Sequence, residues 1–124
     1  MAIKYTLEVK ENLLLVKAAG RDGDVSDVIQ YGQALIEAAV QAGCTRVLCD
    51  ERELEYAIGT LDIYKSASMI SKTAPHIARV AIVCDPLFLE DGQFWETVAV
   101  NRGLMVRMFT EMEEARDWLE SMSI

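Results

Sequence analysis

Ile3, Tyr5, Leu7 and Val9 alternate with Lys4, Thr6, Glu8 and Lys10 at the start of the chain. A period of two puts the apolar set on one side of a half-buried strand. Glu11-Asn12 is short and polar enough for a turn, and Leu13 to Ala19 runs back as a more continuously apolar strand. The pair reads as a hairpin whose first strand is a one-faced edge.

Beyond the polar loop Gly20 to Gly23 the period changes. Asp24 is placed to cap a helix in which Val28, Ile29, Gly32, Leu35, Ile36 and Ala39 recur at helical spacing, with Gly43 as its stop. Arg46-Val47-Leu48-Cys49-Asp50-Glu51-Arg52 follows. Val47 to Cys49 reads as the middle strand of the sheet, breaking into charge as a buried parallel strand does at its carboxyl end, where open α/β sheets hold ligands. Glu51 to Gly59 is expected to be an acidic loop. Thr60 is expected to cap a second helix with Ile63, Tyr64, Ala67, Ile70 and Ala74 inward, ended by Pro75.

Ala78 to Cys84 is a further apolar strand, closed by Asp85-Pro86. Asp91 opens a third helix with Phe94, Trp95, Val98 and Ala99 inward; Trp95 is expected to be its largely buried anchor. Gly103 ends that helix, and Leu104 to Phe109 forms the last strand. Thr110-x-x-Glu113 reads as a capping box for a final helix with Met112, Ala115, Leu119 and Met122 inward. The order β-β-α-β-α-β-α-β-α implies an α/β fold: a five-stranded mixed sheet with the first strand antiparallel. Residues 1–124 read as one domain, without linker or sequence repeat.

Composition narrows the function. The net charge of −8 repels nucleic-acid phosphates and anionic lipid head groups, so no nucleic-acid partner is expected. Three cysteines without close pairing suit a reducing, cytoplasmic protein, and no CxxC or Cys/His spacing suggests a zinc site. No apolar run reaches membrane-spanning length, and the N-terminal residues alternate instead of forming a signal peptide.

The candidate chemistry is sparse. His76, the only histidine, precedes the strand that ends at Cys84, whereas Asp50 and Asp85 belong to the far end of the sheet. Strand length separates them by roughly 25 Å, too far for a His–Asp dyad. Asp50, Glu51 and Asp85 are expected to converge at the carboxyl edge, with Arg52 or Arg102 to neutralise them. They could bind a hard cation, share a proton, or simply cap loops. Cys49 and Cys84 read as core residues with no base in reach. Met69, Met105, Met108, Met112 and Met122 offer adaptable apolar surface, as core or as pocket lining. Tyr56 with Ile58, and Leu87-Phe88-Leu89, are apolar groups in loops at the carboxyl edge. They form either a partner or ligand contact or a lid folded over the strand ends. A homodimer through these loops is expected, with the edge strand Ile3–Lys10 as the alternative surface.

The stretches Val47–Arg52, Ala78-Arg79-Val80-Ala81-Ile82-Val83, and Phe94-Trp95 through Asn101-Arg102-Gly103, followed by Val106-Arg107-Met108-Phe109 and Glu114-Ala115-x-x-Trp118-Leu119, resemble the SpoIIAA-like (STAS) fold. They look most like its small bacterial members that are grouped with CRAL-TRIO lipid-transfer domains. The resemblance implies a non-enzymatic binding or regulatory module that engages a protein partner or a small apolar, lipid-like ligand. The alternative is an enzyme or cation-dependent site on Asp50, Glu51 and Asp85. Signalling members of the fold carry a phosphorylated serine where the second helix begins. Here that stretch is Ala57-Ile58-Gly59-Thr60, so only the Thr60 hydroxyl remains for a phosphoswitch. No catalytic residue, metal ligand or cofactor is assigned.

Overall fold

The computed structural model describes residues 2–74, 77 and 79–121. Strands β1 (Ile3–Lys10) and β2 (Leu13–Arg21) are followed by α1 (Val25–Ala42), β3 (Arg46–Glu55), α2 (Thr60–Ser71), β4 (Arg79–Cys84), a 3-10 turn Pro86–Phe88, α3 (Leu89–Asn101), β5 (Val106–Phe109) and α4 (Met112–Glu120). The sheet order is β1-β2-β3-β4-β5, antiparallel between β1 and β2 and parallel elsewhere. This is the expected α/β mixed sheet, with β3 in the middle.

Alternation along β3 assigns its residues to two layers. Val47 and Cys49 join the larger core, which includes Leu14, Val16, Ile82 and Met108 from the sheet, Leu35 and Ile36 from α1, Ile70 from α2 and Val98 from α3. Leu48 joins Ala81, Val83, Ala115 and Leu119 in a smaller core beneath α4. Two arginines at the amino ends of β3 and β4 close that side. Arg46 donates to the Leu119 carbonyl at 3.3 Å and Arg79 to the Trp118 carbonyl at 2.8 Å, satisfying acceptors that the last turn of α4 leaves open. The Arg79 guanidinium also stacks 4.6 Å from the Trp118 ring centre.

Several local expectations are confirmed and several corrected. The Asp24 carboxylate accepts from the Ser26 amide at 2.8 Å, and Gly43 ends α1 at φ 72°, where a side chain would be strained. β3, however, continues to Glu55, so the acidic loop begins only after it. A register irregularity between Lys17 and Ala19 lets β2 go on pairing, with Ala19 opposite Glu53 and Arg21 opposite Glu55. Gly59, not Thr60, is the N-cap of α2, without a side-chain bond. The capping box at Thr110 does not form: Glu111 is the N-cap and no side chain bonds there.

Tyr64 and Phe94 are exposed, not inward, and Trp95 is only half-buried. Ser66 takes the inward place on α2 and accepts from the Trp95 indole at 3.2 Å. On β1 the apolar face is covered only at Ile3 and Tyr5; Leu7 and Val9 are exposed. The helix stop at Pro75, His76 and Met122 lie outside the described residues.

Candidate functional site

Asp50 and Glu51 do not converge. As neighbours on one strand they face opposite layers. Asp50 lies on the α4 side, where the Arg52 Nε and an Nη each donate to its carboxylate at 2.8 Å. That bidentate pair holds the Asp50 carboxyl below its usual range. Asp85 accepts from the Leu87 amide at 2.9 Å and caps the 3-10 turn. The expected three-carboxylate cluster is therefore absent: consecutive strand residues cannot share a face, and Asp85 is occupied by its own turn.

Glu51 continues the series Val47, Cys49 into the large core, where it is 6% exposed. Its Oε2 accepts from the Tyr31 hydroxyl at 2.8 Å and its Oε1 from the Tyr56 hydroxyl at 2.6 Å. No cation pairs with it among the described residues. Burial pushes its carboxyl up to about 7; the two phenols oppose this, while the charges of Asp22 and Asp50 reinforce it.

Asp22, 7% exposed, is a second buried acid. It accepts from the Ala57 amide at 2.5 Å and is pushed up to about 6, chiefly by burial. Its own amide donates to the Glu55 carbonyl at 3.0 Å. The two acids thus tie the end of β2 and the middle of α1 to β3 and its following loop. Tyr31 and Tyr56 are pushed well above the ordinary phenol value by burial and by the Glu51 charge beside them.

These groups border an apolar cavity of about 110 Å³. Its walls come from Val28, Leu35 and Ile36 of α1, Ile63 and Ile70 of α2, Trp95 of α3, and Val47, Ile82 and Met108 of the sheet. Among the described residues, its charged lining is Asp22, Glu51 and Asp91. An engineered apolar cavity of about 150 Å³ takes up benzene, so this space suits a small apolar group.

The remaining sequence candidates are distributed around this site. Tyr56, Ile58 and Leu89 pack onto the large core, and Tyr56 meets the Phe88 ring at 5.7 Å between centres. These residues fold over the strand ends; Leu87 does not, being 79% exposed. Leu61, which sequence reading passed over, is 83% exposed at the start of α2. Cys49 and Cys84 are buried, and burial raises both thiols. Met108 lines the cavity, Met112 borders the smaller core, and Met69 and Met105 are exposed. Arg102 is not at the acids; it pairs with the Tyr64 hydroxyl. Among the described residues no group of three His, Cys, Asp or Glu side chains could hold a metal ion. None of their helices is long and apolar enough to cross a membrane.

Tyr31 and Asp22 were missed as site residues. Tyr31 falls three positions after Val28 and four before Leu35, on the stripe that predicts α1's buried face. Glu51 is in phase with Val47 and Cys49. Carrying both periods one step further would have put an acid and a phenol into the same core.

A family model described as SpoIIAA-like matches residues 16–120. No curated protein matches the chain. An anti-sigma factor antagonist from Mycobacterium paratuberculosis has a similar fold, with TM-score 0.65 and 14% identity over 95% of this chain and 94% of that one. An uncharacterised Shewanella loihica protein with a SpoIIAA-like fold gives 0.54 and 23% over the same shares. The anti-sigma factor antagonist SpoIIAA in its unphosphorylated form gives 0.52 and 15% over 98% of this chain and all of that one.

Proposed function

This chain belongs to the SpoIIAA-like family, and on that premise we propose that it is a non-enzymatic regulatory module that binds a protein partner at the carboxyl edge of its sheet. The observation that carries the reading is the pair Leu61 and Leu87. Both are almost fully exposed, on the segments that leave the neighbouring strands β3 and β4, while Tyr56, Ile58, Phe88 and Leu89 fold beneath. Large apolar side chains held out over a packed lid suit a protein contact. Two structural neighbours being anti-sigma factor antagonists supports the same class. In this reading Thr60, exposed in the first turn of α2, is the hydroxyl through which phosphorylation would act on the edge. The buried thiols suit work in the cytoplasm.

The test is affinity capture from the native cell with wild type and with Leu61→Asp/Leu87→Asp. A defined partner held by wild type and lost by the variant, with unchanged circular dichroism, is the expected result. A partner retained equally by both defeats the assignment.

The cavity favours a second reading, a small apolar ligand seated beneath the same edge. Native mass spectrometry of the protein from its own cell would find an adduct that organic extraction removes. We further propose self-association as a homodimer. With most of the carboxyl-edge groups folded inward, the exposed edge strand becomes its surface.

A further inference from the structure

We infer that the outer edge of β1 pairs antiparallel with β1 of a second copy, in the register that sets Lys4 opposite Glu8 of that copy. The inference rests on the self-association proposed above and adds its surface and register.

The backbone decides which groups are free. The Arg21 amide donates to the Ala2 carbonyl at 3.3 Å, and the antiparallel register then runs from Ile3 opposite Gly20 to Lys10 opposite Leu13. Antiparallel pairs alternate between bonded and non-bonded, so the even-numbered residues of β1 turn their amides and carbonyls toward β2. Those of Ile3, Tyr5, Leu7 and Val9 point out of the sheet. β1 is a terminal strand of the sheet, so this row has no strand beside it.

A two-fold axis that joins this row to itself must pair odd residues with odd. Three registers near the strand centre meet that condition. With the axis beside Leu7, Lys4 faces Lys10 of the other copy, an unfavourable like-charge pair. With the axis beside Tyr5, Lys4 faces Thr6 and Glu8 faces Ala2, and no charge is matched. With the axis beside Thr6, Lys4 faces Glu8 and Glu8 faces Lys4, both as directly opposed pairs.

That same axis sets Tyr5 opposite Leu7 and Ile3 opposite Val9 on the apolar face. Leu7 and Val9 are the residues there that the chain leaves exposed, and their neighbours in the other copy would cover them. Lys4, Glu8 and Lys10 are all exposed and make no ion pair among the described residues, so the pairing breaks no ion pair among them. Backbone polarity limits the registers, and charge selects one of them.

Sedimentation equilibrium tests it. Wild type should be dimeric. Lys4→Glu and Glu8→Lys should each weaken the dimer about tenfold or more, and the double variant should restore it by exchanging the two charges. Thr6 lies on the axis in a non-bonded pair, where α-carbons approach to about 4.5 Å, within disulfide range. Thr6→Cys should therefore oxidise to a covalent dimer while Cys44, Cys49 and Cys84 stay buried. A monomeric wild type overturns the self-association and this inference together. A dimer indifferent to the single reversals, or one that the double variant fails to restore, keeps self-association and overturns the register.

Discussion

On the α4 side of the sheet, Leu48, Ala81 and Val83 meet Ala115 and Leu119 in a small core, and the half-buried Asp50 is paired with Arg52 beside a polar groove. On the α1–α3 side the larger core leaves a cavity, and the acid one residue along the same strand is buried without a cation. Burying a carboxylate without a cation costs stability even when phenols donate to it, and a void forfeits dispersion contacts. A fold held only by packing would show neither. The first face reads as scaffold, and the second holds the apolar room that the proposed small ligand would need.

The largest effect should come from the small core beneath α4. Leu48→Ala, at a position 1% exposed, should cost about 4 kcal/mol in denaturant melts, because the change removes the side chain that Ala81, Val83, Ala115 and Leu119 pack around. A loss below about 1 kcal/mol would show that this face is as loose as the other.

Glu51→Gln sharpens the electrostatic half of the comparison. Folding raises the Glu51 carboxyl from 4.5 to about 7, so between those pH values the folded protein keeps a proton that the unfolded chain has released. Its contribution is most favourable at and below pH 4.5 and falls as pH rises to about 7, by about 3 kcal/mol in all. Asp22, raised from 3.8 to about 6, works in the same direction at lower pH. The Gln variant should match wild type near pH 4.5 and exceed it by about 3 kcal/mol at pH 8. Parallel pH–stability curves would contradict this.

Trp95→Ala should be the mildest of the three, at about 2 kcal/mol, because the indole is half-buried and bonds only to Ser66. Equality with Leu48→Ala would mean that the cavity wall is as tightly packed as the opposite core.

How far the sequence led follows from these residues. The strands, their order and the antiparallel hairpin were legible because periods of two and 3.6 alternate cleanly and Gly43 punctuates them. The candidate site was only half legible. The charge run Asp50-Glu51-Arg52 suggested a loop, since charges seldom sit inside strands, yet pairing with β2 carried β3 to Glu55 and drew Glu51 inside. A hydroxyl before a helix is a weak local signal: at Thr60 and Thr110 the backbone places the N-caps at Gly59 and Glu111 instead. The periods can place Tyr31 and Glu51 in one core, but not the specific contact between them across 20 residues.

The central claim is that apolar space lies on one face of the sheet only, whereas on the α4 face Thr6, Glu8, Lys17, Asp50 and Arg116 border a polar groove. Methyl NMR with added benzene tests it most directly. The account predicts saturable shifts at Ile36, Ile63, Ile70 and Met108, and none at Leu48, Val83 and Leu119. Equal shifts on both faces, or none on either, would contradict it.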